Sequence, residues 1–328
     1  MPRWIMGLVC LGAIASLSVS GKPDAAPSAL PAELAWAYPV APPHTSALMT
    51  PPGVYVTPDG KRKLNAAQVE ALNPADEDWF PGSHPHPPEV ILHASKNGAA
   101  PCAECHLVSG QGEVGIPDIA GLKADYLLEQ LHAFRAGTRR SAQPDRVATE
   151  AMIGVAKTWS EQDLKAAVAY FAGLPRHKAI RMVVADDAPS MHTERFGWTY
   201  ADRTGGLRAL NGTVAETPES VVKVFMGDPS NLEVVYASKS TLTIGEALVR
   251  SGGGGGQPCT VCHGADLRGT PVAPALAGRD PSYIARQLWD IRCGTRSGPG
   301  VAFMQGVAHG LSPRDMTAVA AYLASQAY

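Results

Sequence analysis

The chain has 328 residues, length for about two domains. Apolar residues make up 45% and charged residues 18%, a globular balance that excludes wholesale disorder. With 28 basic against 30 acidic side chains the net charge is −2, which argues against a nucleic-acid partner. Six cysteines are too few for a disulfide scaffold, and 33 Gly with 28 Pro predict long loops.

Residues 1–21 read as a secretory signal. Arg3 is followed by an uncharged, largely apolar run from Trp4 to Ser20, with small residues Ser18, Ser20 and Gly21 at its end. The run is short for a membrane span, so an uncleaved anchor is the alternative. Val9 before Cys10 is a poor fit to a lipoprotein cleavage site. Residues 22–85 form a Pro-rich extended arm, expected to pack through Trp36, Tyr38, Tyr55, Trp79 and Phe80, with one short helix near 66–72. His84 and His86, each beside Pro, read as loop residues rather than a metal site.

Five cysteines follow the signal, and four of them fall in two identical patterns. Cys102-Ala103-Glu104-Cys105-His106 is one; Cys259-Thr260-Val261-Cys262-His263 is the other. C-x-x-C-H is the attachment sequence of c-type haem. Two cysteines on one helical turn can form thioethers to the two vinyl groups of one haem, and the next residue offers its imidazole to the iron. Zinc accounts for four cysteines but not for a His after each pair. A thioredoxin-like dithiol needs a strand–helix context that is absent. The expected cofactors are therefore two covalently attached haem c groups, each with its iron.

The motifs sit in an internal repeat. A shift of 157 residues brings Pro101 onto Pro258, Pro117 onto Pro274, Gly121 onto Gly278, Tyr126 onto Tyr283 and Gln130 onto Gln287. The same shift lays Arg135-Ala-Gly-Thr-Arg139 on Arg292-Cys-Gly-Thr-Arg296. The second copy then loses five residues, and at a shift of 152 Met152 falls on Met304, Ser160 on Ser312 and Tyr170 on Tyr322. The copies span 86–174 and 243–328.

Each copy predicts three helices. The first runs into the motif, over 88–95 and 244–251. The second covers 124–136 and 281–293 and stops at Gly137 or Gly294. The third starts at Ser160 or Ser312, with an Asp three residues on to complete the cap. Leu164, Ala167, Val168 and Phe171 recur at helical spacing along it.

Met152 and Met304 are the one aligned pair of methionines, and both are expected in loops. They are the candidate sixth iron ligands opposite His106 and His263, since a His/Met pair is an established axial set that raises the haem potential. Pro117 and Pro274 each lie 11 residues after the motif His. Their carbonyls are candidates to accept the second imidazole N–H and fix the ring. Arg139 and Arg296 are candidate partners of haem propionates. Tyr126, Tyr283, Tyr170 and Tyr322 read as core and haem-packing residues.

Residues 175–242 connect the copies and carry strand-like runs at 180–184, 221–225 and 232–236, which suggest a small β-containing insert. Gly252 to Gly256 reads as a loop, and Cys293 as a buried small residue on the second helix.

The two C-x-x-C-H motifs, the Pro after each, the Gly-Thr-Arg after the second helix and the aligned Met resemble class I cytochrome c domains. The tandem pair resembles the bacterial periplasmic dihaem cytochromes c. The resemblance covers about half the chain. It implies a mainly α fold of two tandem cytochrome c domains, with the arm and the β-containing insert added. It also implies periplasmic location, haem attachment after export, and electron transfer between a redox-protein donor and acceptor, such as a dehydrogenase, a respiratory complex or a terminal oxidase. Two alternatives remain open: a dihaem enzyme (peroxidase or sulfur-compound oxidase), and a cytochrome subunit docked peripherally to a membrane dehydrogenase or oxidase complex. The copies also differ in charge. Residues 96–174 carry 8 basic and 9 acidic side chains, whereas 245–328 carry 7 and 5, every base an Arg. Surface arginines such as Arg268, Arg279 and Arg314 are therefore expected to steer one partner.

Overall fold

The computed structural model describes residues 29–40, 50–113, 115–144, 146–176, 179–194, 197–202, 204–252 and 256–327. The signal segment, Cys10 and the middle of the 252–256 glycine run lie outside the described residues.

The described chain is helix-rich, with the strands confined to the arm and the connector. In the first copy the motif helix α3 (Ala103–His106) follows a short α2 (Glu89–Leu92), then come α4 (Ala124–Ala136), α5 (Val147–Thr158) and α6 (Glu161–Gly173). In the second copy α8 (Lys239–Ser251) leads into the motif helix α9 (Cys259–His263), then α10 (Pro281–Arg292), α11 (Ala302–Gly310) and α12 (Pro313–Ser325). The expected punctuation is present. Gly137 takes a left-handed φ of 73° at the end of α4, and Gly294 a φ of 72° just beyond α10. Ser160 and Ser312 cap α6 and α12 through Asp163 N–H and Asp315 N–H, and Asp315 closes a capping box.

Three expectations need correction. The leading helix of the first copy is one turn, Glu89–Leu92, because Pro88 precedes it and Lys96-Asn97-Gly98 follow. Met152 and Met304 lie on helices α5 and α11, not in loops. Neither segment contains Pro, and each carries Ala with one Met, good helix formers, in a register that places Ile153 with Ala156, and Met304 with Ala308, on one face. The 221–225 run is a helix, α7 (Val221–Phe225), rather than a strand, because Ser220 Oγ caps it by accepting from Lys223 N–H.

Each copy buries its own core. Val90, Ile91, Leu127, Val168, Tyr170 and Phe171 fill the first; Val249, Leu267, Leu288, Trp289, Met316 and Leu323 fill the second. In the second, α8 lies against α12 so closely that a Cβ on Gly245 would overlap the Ala318 carbonyl and meet Tyr322 Cβ at 2.7 Å. Gly245→Ala is therefore expected to force the two helices apart and cost about 1–3 kcal/mol, read as a fall in denaturant midpoint with m unchanged. A variant as stable as the parent contradicts this packing.

The arm packs on the second copy and on the connector. A 3₁₀ turn over Ala32–Ala37 sinks Leu34, Ala37 and Tyr38 into the second core. Trp36 Nε1 donates to Thr317 Oγ1 (3.2 Å), and Tyr38 O–H to Asp290 (2.9 Å). Further on, the hairpin β1 (Val54–Val56) and β2 (Lys63–Asn65) leads into α1 (Ala66–Glu70). There Leu64, Val69 and Trp79 cluster with Met226 of the connector.

The connector holds β3 (Ile180–Val184), β4 (Asp187–Pro189), β5 (Met191–Thr193), β6 (Thr199–Ala201), β7 (Leu207–Ala209), β8 (Ala215–Pro218) and β9 (Glu233–Ala237). β9 pairs parallel with β3 and antiparallel with β8, in the order β3-β9-β8. Ile180, Val214, Val235 and Ala237 pack this sheet onto Ala321 and Ala324 of α12.

Candidate haem centres

Both motif histidines are buried and oriented alike. His106 is 8% exposed, and its Nδ1 lies 3.2 Å from the Pro117 carbonyl; His263 is 6% exposed, with Nδ1 2.7 Å from the Pro274 carbonyl. A carbonyl oxygen only accepts, so Nδ1 carries the proton in each ring and Nε2 holds the free lone pair. Among the described residues neither Nε2 has a hydrogen-bond partner. Burial holds both imidazoles neutral: it lowers the His106 pKa to about 4, against a raising effect of the Pro117 bond, and it lowers that of His263.

The loop after each motif sets this geometry. Gly112 N–H and Gly269 N–H donate to the carbonyls of His106 and His263, which turns the chain so that the Pro carbonyl returns to the ring. Gly112 has a φ of 81°, and a Cβ there would overlap the Ile116 carbonyl, so only glycine fits. Cys102, Cys105 and Cys259 are half-buried and Cys262 is exposed, all as free thiols. Burial raises the Cys102 thiol to about 12, and those of Cys105 and Cys259 to about 11. Among the described residues no three of His, Cys, Asp and Glu converge as metal ligands, which does not fit zinc. Neutral thiols on one turn beside an imidazole with a free Nε2 fit a covalently held haem.

The structure brings some candidate residues together more closely than others. Met304 packs on the core that also holds Cys259, and on Ile291, Val301 and Ala308. Met152 packs on Phe134, Ile153 and Ala156, a cluster apart from the one that holds Cys102.

Arg139 and Arg296 lie where the two copies meet. They form an antiparallel bridge, flanked by Arg140 N–H to the Thr295 carbonyl and Ser297 N–H to the Thr138 carbonyl, each 2.8 Å. The pairs exchange under the shift of 157, so the contact is pseudo-two-fold. Arg139 donates to Gln130 of its own copy (2.9 Å) and to Tyr283 (3.1 Å) and Gln287 (3.3 Å) of the other. Arg296 mirrors it, donating to Gln287 (2.8 Å), Gln130 (3.0 Å) and Tyr126 (3.3 Å). Both arginines are under 10% exposed, and Arg296 Nε has no partner, an orphaned donor that fits an added carboxylate. Burial raises the Tyr126 pKa; for Tyr283 burial is outweighed by the two guanidinium groups, which bring it to about 8.

Gln130, Gln287 and the two tyrosines as interface hydrogen-bonders were missed by the sequence reading. The signal was available: Tyr and Gln recur four residues apart on one face of the second helix in both copies, just ahead of the repeated Arg. Of the three arginines expected at the surface, Arg268 and Arg314 are exposed and Arg279 is not. Arg279 is 3% exposed and bonds the Asp118 carbonyl across the interface. Arg268 pairs with Asp266 (3.9 Å), and Arg314 with Glu33 of the arm (3.7 Å). The second copy therefore keeps Arg268 and Arg314 at its surface, while Arg279, Arg286 and Arg296 are buried.

Comparison with known proteins places both copies in one family. The family model "Cytochrome c" matches twice, at 96–175 and 256–327. Cytochrome c4 of Pseudomonas aeruginosa is 28% identical over 236 residues, 70% of this chain and 86% of that protein. Cytochrome c-554(548) of Halomonas halodenitrificans is 39% identical over 69 residues, 21% of this chain and 83% of that protein. A thiosulfate dehydrogenase electron acceptor of Stutzerimonas stutzeri is 47% identical over 76 residues, 21% of this chain and 34% of that protein. With its two matched repeats, each holding a buried histidine beside a pair of thiols, the chain belongs to the cytochrome c family as a tandem pair of cytochrome c domains with covalently bound haem c.

Proposed function

We propose that the chain is an exported, periplasmic dihaem electron carrier with two closed iron sites. In this reading Cys102 and Cys105 hold the first haem and Cys259 and Cys262 the second. His106 and Met152 ligate one iron, His263 and Met304 the other. Pro117 and Pro274 keep each imidazole in the tautomer that presents Nε2. Arg139 and Arg296 neutralise propionates at the contact between the copies, for which the orphaned Arg296 Nε speaks. The cytochrome domains span 86–174 and 243–328, preceded by a signal at 1–21 and an arm at 22–85 and joined by the connector 175–242. Each haem, when bound, supplies a one-electron ferric/ferrous couple.

The observation that carries the reading is the duplication of the buried His–Pro geometry with a free Nε2 in both copies. It gives two sites of the same build, and the aligned Met closes each against substrates. An enzyme needs one iron with an open position, and no difference between the two His–Pro sites marks one. The similarity to thiosulfate dehydrogenase electron acceptors supports a dehydrogenase of a sulfur compound as electron donor. The test is carbon monoxide added to the dithionite-reduced protein. The account expects an unchanged visible spectrum. A carbon monoxide adduct on either iron, or peroxidase turnover, supports the enzyme instead.

A further inference from the structure

The loops that return the Pro carbonyls to the two imidazoles are built alike. In the first, Ile119 N–H and Ala120 N–H donate to the Gly110 carbonyl, Gly121 N–H to the Phe171 carbonyl and Leu122 N–H to the Ile119 carbonyl. In the second, Leu276 N–H and Ala277 N–H donate to the Leu267 carbonyl, Gly278 N–H to the Leu323 carbonyl and Arg279 N–H to the Leu276 carbonyl. Two matched positions break the likeness. Asp118, directly after Pro117, falls on Ala275, directly after Pro274, and Leu122 falls on Arg279. The first loop carries an acid that the second lacks, and the second a base that the first lacks.

These two groups meet. Arg279 Nη1 donates to the Asp118 carbonyl and lies 3.6 Å from the Asp118 carboxylate, while its Nε donates to the Ala275 carbonyl (3.4 Å). Arg176, just after α6, closes the other side. Its Nε donates to the Asp118 carboxylate (2.9 Å), and Nη1 and Nη2 donate to the carbonyls of Ala277 (2.6 Å) and Gly278 (2.8 Å). All three charged side chains are buried. Two guanidinium groups around one carboxylate carry a desolvation cost that the matched Leu122 avoids, so stability is a weak reason for them. What they supply is direction. The residues that Arg279 grips are the ones joined by a peptide bond to Pro117 and Pro274. A peptide unit is planar, so the dihedrals of a single residue separate each gripped carbonyl from the Pro carbonyl that faces an imidazole.

We infer that Arg279 is a positioning residue shared by both irons: by holding Asp118 and Ala275 it sets how the Pro117 and Pro274 carbonyls meet His106 and His263. The two electron-accepting sites are thereby tied to one side chain at the contact between the copies. This role rests on the reading in which His106 and His263 ligate the irons. A hydrogen bond at Nδ1 makes a ligating imidazole a stronger donor, and a stronger donor favours the ferric state. Loosening that bond raises the potential, in both sites and in the same sense. Removing the Arg279 charge acts the other way, because a buried cation nearby favours the ferrous state. Position and charge can therefore be told apart.

The test is Arg279→Lys, which keeps the charge and loses the forked grip, in the full, haem-loaded protein. Two quantities are read: both midpoint potentials, and hydrogen exchange of the two imidazole Nδ1 protons in the reduced protein by NMR. Both midpoints are expected to rise, so that at each parent midpoint the ferrous-to-ferric ratio is up by about threefold or more, and both Nδ1 protons are expected to exchange about tenfold faster. Thr317→Val, which removes the bonds from Thr317 to Trp36 and Glu33 of the arm, controls for general loosening and is expected to leave both quantities within about twofold of the parent. In the parent itself the nitrogen resonance of Arg279 Nε is expected to move twice during a redox titration, once with each wave, a measurement that needs no variant to fold. Parent-like midpoints and exchange in Arg279→Lys, a change confined to one wave, equal changes in Thr317→Val, or an Arg279 resonance that follows one wave only overturn the shared role. With both Nδ1 protons present in the parent, these results leave the ligation by His106 and His263 standing. A parent that lacks either Nδ1 proton sinks the ligation and the shared role together.

Discussion

Cys259→Ala combined with Cys262→Ala is expected to halve the haem of the protein, from two per chain to one. Thioethers are covalent, so the remaining haem should stay with the polypeptide on a denaturing gel and in acid acetone, and the pyridine-haemochrome count should fall by half. The effect is large because, in the proposed ligation, only one imidazole and one neutral thioether would otherwise hold the second haem against extraction. The first copy keeps its own core and its own His106–Pro117 bond, so its haem should be retained. Haem extractable from the parent, or an unchanged count in the variant, contradicts the assignment.

Met304→Ala is expected to open the second iron. A neutral thioether binds ferric iron weakly and favours the ferrous state, so its loss leaves the site to water or carbon monoxide and lowers the potential. Axial ligands tune haem potentials over about 0.8 V, and a fall on the order of 0.1 V or more is expected for this haem alone. The weak red-end absorption of Met-ligated ferric haem should fall to about half, since Met152 remains in the first copy. Met304 shares a core with Cys259, so the variant also removes packing; Met304→Leu restores the volume without the sulfur and should show the same potential shift. If Met304→Leu behaves as the parent, Met304 packs the core and does not ligate.

Much of this was legible in the sequence for specific physical reasons. C-x-x-C-H is a spacing that chemistry dictates, so both motifs stood out without any structure. Ser160 with Asp163 and Ser312 with Asp315 are local capping signals, and the helices start where they say. The role of the Pro carbonyl followed from what a ligating histidine needs on its far side, and the structure places the carbonyl there in both copies. What could not be read was tertiary. Arg279 looks like a surface base in the sequence, yet it is buried because Asp118, a hundred and sixty-one residues earlier, meets it across the interface. The run Val221–Phe225 has strand propensity, and a single Ser cap with its surroundings made it helical. The arm's Leu34 and Tyr38 enter the core of the second copy, although they lie in sequence next to the first. No local pattern encodes that choice. The bond from Gln111 Nε2 to the Asn231 carbonyl, which ties the connector to the first motif loop, is invisible for the same reason.

The central claim is that one chain holds two closed, His/Met-ligated haems that exchange single electrons. A spectroelectrochemical titration of the full, haem-loaded protein tests it most directly, with haem counted on the same sample. The account predicts two covalent haems per chain, two one-electron waves in the range of Met-ligated haems, and the Met-ligand band lost in step with each reduction. One haem per chain, or a wave at the low potential of an iron without Met that is matched by carbon monoxide binding, contradicts it.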